Sequence, residues 1–213
     1  MNKQTAEEAV FLWFDELTIN GKVGEKMIER EITVENPKFD FSVKMAGVAD
    51  LAYAPVISSW TQEAGTMLPK TPEQIAELFL QNRSVIVVNA MGDVVSHAAA
   101  AFIYTDGSVE FGALVTGDDF QGKGAATMAT EFLLGVLGDR YPNKTIFALA
   151  NPISAKLFQK IGAGVMDYPL VADEVWKNCA LCPNNPSPNT NVFIGCCDTP
   201  YDLTDIALNS HHI

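Results

Sequence analysis

The stretch DDFQGKGAATMATEFLLGVLG, residues 118–138, limits what this chain can become more than any other feature. It joins an apolar, strand-like run, VEFGALV (109–115), to an amphipathic helix. Ala125, Met128, Ala129, Phe132, Leu133 and Val136 recur at helical spacing and give that helix one apolar face. Gly138 is its expected stop. A strand, a glycine turn and a helix start present backbone N–H groups that the helix itself cannot satisfy. Gly122 and Gly124 permit left-handed backbone angles and close approach of a ligand. The aligned peptide dipoles add about half a positive charge there, and Lys123 adds a charge of its own. The loop lacks the spacing of a Walker nucleotide loop and of the G-x-G-x-x-G dinucleotide turn. Taken alone, it serves as a structural cap or as a phosphate cradle, and both readings stay open.

The neighbouring segments supply a context. Thr71, Pro72 and Gln74 form a capping box with proline at the first helical position. Ile75, Leu78 and Phe79 then follow at helical spacing, so they should face a core. FSVKMAG (41–47) reads as a first strand, and VADLAYAPVISSW (48–60) reads as helical despite Pro55. SVIVVNA (84–90), DVVSHAAAAFIY (93–104) and VEFGALV are three β-rich runs, and TDGS (105–108) between the last two is a hairpin signal. Residues 84–116 therefore read as an antiparallel meander. After the glycine loop and its helix comes TIFALA (145–150), a short buried strand. Asn151 and Pro152 open another helix, with Ile153, Leu157 and Ile161 turned inward and Gly162 as its stop. The layout is mixed α/β (α+β).

Charge narrows the partners. The chain has 213 residues and a formal net charge of −12. No basic stripe interrupts that acidity, which argues against nucleic acid as a partner. No apolar run approaches the ~18 residues of a membrane span, and the N-terminus lacks the apolar core of a secretory signal. The expected setting is the cytoplasm, without a membrane partner, where disulfides are uncommon. Four cysteines cluster late: Cys179-x-x-Cys182 and the adjacent Cys196 and Cys197. Two thiol pairs around the turn-rich loop CPNNPSPNTN (182–191) could hold a structural zinc. A disulfide and plain thiols are the alternatives, and the adjacency of the second pair weighs against a single metal.

From Glu110 to Gly162 the chain resembles the GNAT family of acyl-CoA-dependent N-acetyltransferases. That family carries Q/R-x-x-G-x-G/A between its fourth strand and third helix. Here it stands as Gln121-Gly122-Lys123-Gly124-Ala125-Ala126. The family's later signature is an asparagine after the fifth strand, then a short helix ending in a lysine–hydrophobe–glycine run. NPISAKLFQKIG (151–162) matches it. The looser likeness spans residues 41–195, with a cysteine-containing insertion at about 175–191. Residues 1–40 are then an N-terminal extension and 196–213 a C-terminal tail.

The resemblance implies a mixed, mostly antiparallel central sheet with flanking helices. It implies acetyl-CoA as cosubstrate and an amine as acceptor, with a homodimer as an option. The acidic composition mildly favours a cationic small molecule or a peptide N-terminus. Backbone at Leu114, Val115 and Thr116 would hold the pantetheine and the acyl carbonyl. The amides of Gln121, Gly122, Lys123, Gly124, Ala125, Ala126 and Thr127 would hold the pyrophosphate. Asn151 matches a contact to the pantetheine arm and also suits a helix N-cap. Phe158 occupies the position where many members place a proton-donating tyrosine. It can pack on the cofactor and cannot donate.

Transfer to an amine also needs a base. Glu110 is the first candidate, at a position where many members carry a carboxylate. Period-2 alternation puts Glu110, Gly112, Leu114 and Thr116 on one face. Glu110 then lies ~13 Å from Leu114, at ~3.3 Å per residue, so a relay water would be required. A solvated strand charge is the plainer alternative. His97 is the second candidate. A two-residue hairpin loop would pair it near Thr116, on Glu110's face, and its imidazole titrates in the useful range. A hydrogen-bonded core histidine is the plainer alternative there.

Overall fold

The computed structural model describes residues 40–167, 174–175 and 199–210. The chain enters as strand β1 (Phe41–Met45) and turns through a 3-10 segment (Val48–Tyr53) into helix α1 (Ala54–Glu63). Pro55 is tolerated because it sits in the first turn, where its missing N–H has no helical partner to lose. Helix α2 (Pro72–Leu80) begins as the capping box requires. Gln74 N donates to Thr71 Oγ1 at 3.3 Å and Thr71 N donates to Gln74 Oε1 at 2.9 Å. Ile75, Leu78 and Phe79 are its buried residues.

The meander follows as β2 (Ser84–Asn89), β3 (Val94–Ile103) and β4 (Val109–Thr116). Helix α3 (Ala125–Arg140), strand β5 (Ile146–Ala150), helix α4 (Pro152–Lys160) and the short strand β6 (Gly164–Val165) come next. Strand β7 (Thr199–Asp202) and helix α5 (Thr204–Asn209) end the described chain. The strands form one sheet in the order β1-β2-β3-β4-β5-β7-β6. Among the described residues its only parallel neighbours are β4 and β5; the other pairs are antiparallel. Thus residues 199–209, assigned to a tail by sequence, lie within the fold. Strand β7 pairs with β5 on one side and β6 on the other. Residues 1–39 and all four cysteines lie outside the described residues.

Both faces of the sheet are covered, as its mixed layout demands. On one face α3 and, through Phe158, α4 pack over Val85, Val87, Phe111 and Ile146. On the other, α1 and α2 bring Ile57, Ile75 and Phe79 onto Ile86, Val94 and Val115. Fully burying such a side chain is worth roughly 1.5–3 kcal/mol, so these two layers hold the site in place. Helix α3 departs from the expected single stripe. Thr130, Leu134 and Leu137 are buried beside Ala125, Ala129 and Leu133, while Met128, Phe132 and Val136 are only half-buried. The reason is a second partner, because α5 packs on α3 from outside. Gly138 is the contact point. A Cβ there would lie 2.1 Å from the Ala207 carbonyl oxygen, so only glycine fits. It is an interior helix residue, and the helix continues to Arg140. In α4 the inward position is Phe158, and Ile153 is 73% exposed.

A tight turn and two register shifts, one between His97 and Ala99 and one between Ala100 and Phe102, set how β4 meets β3. The β3–β4 turn has three loop residues. Gly107 N donates to Tyr104 O and Tyr104 N donates to Ser108 O, each at 2.9 Å, with Gly107 at φ +83°. This is a type I turn closed by a glycine bulge. It places His97 opposite Val115 instead of Thr116. Further along, Ala113 takes φ +49°, and the β3–β4 pairing shifts by one residue near it. Such a bulge re-aims side chains. Phe111 packs on the α3 side, whereas Ala113 and Val115 both pack on the α1–α2 side. Simple alternation therefore fails: Glu110 and Leu114 do not share a face.

Candidate functional site

Strands β4 and β5 pair only at Val109–Ile146 and Glu110–Phe147. Beyond Glu110 they diverge, and the edge of β4 that faces β5 has no strand partner among the described residues. Gly117 N donates to Val95 O. Alternation then points the Val115 amide toward β3 and the Leu114 and Thr116 amides toward the open edge. The gap widens into a cavity of about 790 Å³ that runs from the glycine loop, past both strands, to Glu110. Trp60 of α1 overhangs it. A Cβ on Gly117 would lie 2.9 Å from the Trp60 ring, so that glycine lets the indole settle over the end of β4.

The glycine loop forms one wall. A short 3-10 turn (Asp118–Phe120) leads into it. Gly122 and Gly124 take φ +73° and +89°, angles that L side chains adopt only with strain. Gly124 caps α3 without any side-chain hydrogen bond. The backbone N–H groups of Gly122, Gly124, Ala125, Ala126 and Thr127 have no backbone acceptor among the described residues. All five residues line the cavity, as does Gln121. This is an anion site in the physical sense: several donors and a helix dipole converge on one space. Lys123 is not among the lining residues. Its ammonium lies 5.5 Å from the Phe120 ring centroid.

Asn151 and Phe158 line the opposite wall. The Asn151 side-chain Oδ1 caps α4, accepting from Ile153 N at 2.8 Å and Ser154 N at 2.9 Å. Its amide nitrogen donates to Thr66 O at 3.1 Å and so ties α4 to the loop after α1. The N-cap reading of Asn151 is present as built. Phe158 stands edge-on to Phe111 and beside Tyr201 and is almost fully buried.

At the far end Glu110 faces the α1–α2 side with Phe102, which is opposite it in the sheet. Tyr104 OH donates to Glu110 Oε2. Burial pushes the Glu110 carboxyl above the ordinary glutamate range, while the Tyr104 hydroxyl and the charge of Lys70 pull it back. Lys70, just before α2, lines the same end. Burial lowers its pKa, and the charge of Glu110 partly restores it. His97 is elsewhere. It is wholly buried against Phe79 and is not among the cavity-lining residues. Its Nδ1 lies 2.9 Å from Ala113 O and its Nε2 lies 3.0 Å from Ser84 Oγ. Burial pushes its pKa down to about 4. The Ala113 contact assigns the proton to Nδ1, which leaves Nε2 to accept from Ser84. His97 thus braces the β4 bulge from behind.

Sequence reasoning missed Lys70, Tyr104, Trp60 and Gly117. Lys70 left a faint signal, a lysine directly before an N-cap threonine. The other three depend on contacts far apart in the chain. Among the described residues no group of His, Cys, Asp or Glu side chains is arranged to hold a metal.

No family model matches the chain, and no curated protein matches it. Solved structures do. N-acetylglutamate synthase from Neisseria gonorrhoeae, complexed with coenzyme A and N-acetyl-glutamate, superposes with a TM-score of 0.57 at 15% identity, over 76% of this chain and 34% of that one. Rv2747 from Mycobacterium tuberculosis, in complex with CoA and NLQ, gives 0.52 at 18% identity, over 66% and 82%. Ard1 from Thermoplasma volcanium gives 0.51 at 11% identity, over 76% and 95%. The chain has the GNAT fold. Within that fold, the glycine loop lies between β4 and α3 and Asn151 follows β5, the order in which the two sequence motifs stand. This chain spans about a third of the Neisseria synthase's length.

Proposed function

We propose that this GNAT-fold chain is an acyl-CoA-dependent N-acetyltransferase that acts on a primary amine. One observation carries the reading. A single cavity joins unpaired loop amides at one end to a half-buried carboxylate at the other, with an open strand edge between them. The loop amides suit a pyrophosphate, and local backbone dipoles answer the anion even on an acidic protein. The open edge of β4 suits an extended pantetheine, and the amides of Leu114 and Thr116 can polarise a thioester carbonyl. The coenzyme A held by the Neisseria and Mycobacterium proteins supports the same assignment.

The chemistry balances with the groups available. The amine nitrogen attacks the thioester carbon, the C–N bond forms and the C–S bond breaks. The proton shed by nitrogen passes through water to Glu110, which its raised pKa makes a stronger base than an ordinary glutamate. The leaving thiolate takes its proton from water, because Phe158 has none to give. His97 acts as a positioning residue that fixes the Ala113 carbonyl and hence the bulge.

The test is calorimetric titration with acetyl-CoA, followed by thiol release with a panel of amines. Absence of binding ends the reading. Binding without turnover on any amine supports a second reading, an acyl-CoA-binding domain that has lost transfer, and Phe158 is the observation that favours it.

A further inference from the structure

Lys70 is the cavity residue that the proposed reaction leaves unused. Its backbone is fixed on both sides: Lys70 N donates to Thr61 Oγ1 at 3.0 Å, and Lys70 O accepts from Ser58 Oγ at 2.7 Å. The side chain that projects from this anchor is 8% exposed and lines the cavity. Its Nζ lies 5.0 Å from the ring centroid of Phe102, the residue opposite Glu110. Among the described residues Nζ makes no hydrogen bond and no ion pair. Glu110 interacts with it only through charge, and the Glu110 carboxylate takes its hydrogen bond from Tyr104. Glu63, Asp118 and Lys160 also line the cavity, but they are exposed, so water screens them. A sequestered ammonium that, among the described residues, has the charge of Glu110 nearby but no ion pair in contact is incompletely compensated. It becomes favourable when a ligand supplies the anion.

We propose that Lys70 binds a carboxylate of the acceptor, so that the amine acetylated here belongs to an amino acid or a related amino-carboxylate. The inference rests on the transferase reading and names its substrate class. The amine end turns to Glu110, which takes the proton, and the carboxylate end turns to Lys70 over the face of Phe102. A net charge of −12 favours cationic acceptors only for the surface as a whole. At the Glu110 end of the cavity one buried ammonium faces one carboxylate, so that end does not share the acidity of the surface.

The experiment uses the whole chain saturated with CoA. Each of the standard L-amino acids and its α-carboxamide is titrated by calorimetry into the wild type, Lys70→Met and Lys70→Arg. In the wild type at least one free amino acid should bind tenfold or more tightly than its carboxamide. Lys70→Met keeps the stem and should erase most of that preference, while Lys70→Arg keeps the charge and should retain it. CoA affinity should stay within twofold in both variants. The proposal is overturned if the wild type shows no carboxylate preference, or if the preference survives in Lys70→Met. The wild-type comparison is decisive even if a variant does not fold. Failure of CoA to bind removes the transferase reading itself, and CoA binding with no carboxylate preference removes only the role of Lys70.

Discussion

Glu110 and His97 show how burial divides two titratable groups into different tasks. Glu110 lies at the cavity with its pKa raised, mainly by desolvation. As the base it must be ionised, so kcat/KM should rise with pH through a midpoint above the ordinary glutamate range. Glu110→Gln should abolish that limb and lower kcat about 10²-fold, the lower end for a positioned base. The stability effect has the opposite sense. A raised folded-state pKa favours folding at pH values below the unfolded pKa, and the benefit is lost as pH rises through the folded value. Melting curves should therefore show Glu110→Gln gaining on the wild type as pH rises, with the two converging in acid. His97 has a depressed pKa of about 4. It stabilises the fold above pH ~6.5, by on the order of 3 kcal/mol, and loses that contribution as pH falls toward 4. NMR of the imidazole should find the ring neutral at pH 5.5; a ring that titrates near 6.5 would contradict its burial. Neither residue's task was readable from spacing. Alternation put Glu110, Leu114 and His97 on one face; the left-handed Ala113 turns Leu114 to the other, while His97 keeps Glu110's face but is buried against Phe79, off the cavity lining.

At the scale of elements, positive φ serves two purposes that mutation can separate. Gly124 and Gly162 take φ +89° and +90° at opposite ends of helices. Gly162 stops α4 in open space, whereas Gly124 starts α3 at the cavity wall. A side chain at either position costs roughly 1–2 kcal/mol of backbone strain. Only Gly124→Val should also weaken CoA binding, by more than tenfold in calorimetry, while Gly162→Ala should bind CoA like the wild type. The starts of α2 and α4 were legible because capping is local: Thr71 with Gln74, and Asn151 with Ser154, close within three residues. The inward faces of α3 and α4 were not. Periodicity reports one apolar stripe, and α3 has two partners, the sheet and α5. Gly138, which looked like a helix stop, is where those partners meet. Gly138→Ala should force α5 outward and cost on the order of 1–3 kcal/mol, measured by urea unfolding.

For the molecule as a whole, the sheet order was partly foreseen, because the meander and the glycine loop follow from neighbouring residues. The place of β7 was not foreseen, since a four-residue strand with proline at its second position carries little pattern. Yet β7 is interior to the sheet. It pairs with all but the first residue of β5, and Leu203 N just beyond it reaches back to Ile146 O at 2.8 Å. The order of synthesis follows from this. Strands β1 to β5 leave the ribosome well before residue 199, so β5 spends that interval with a bare edge of the kind that invites mispairing. The wall of the cleft carrying Asn151 follows directly on β5, so it gains the support of a second strand only when β7 has emerged.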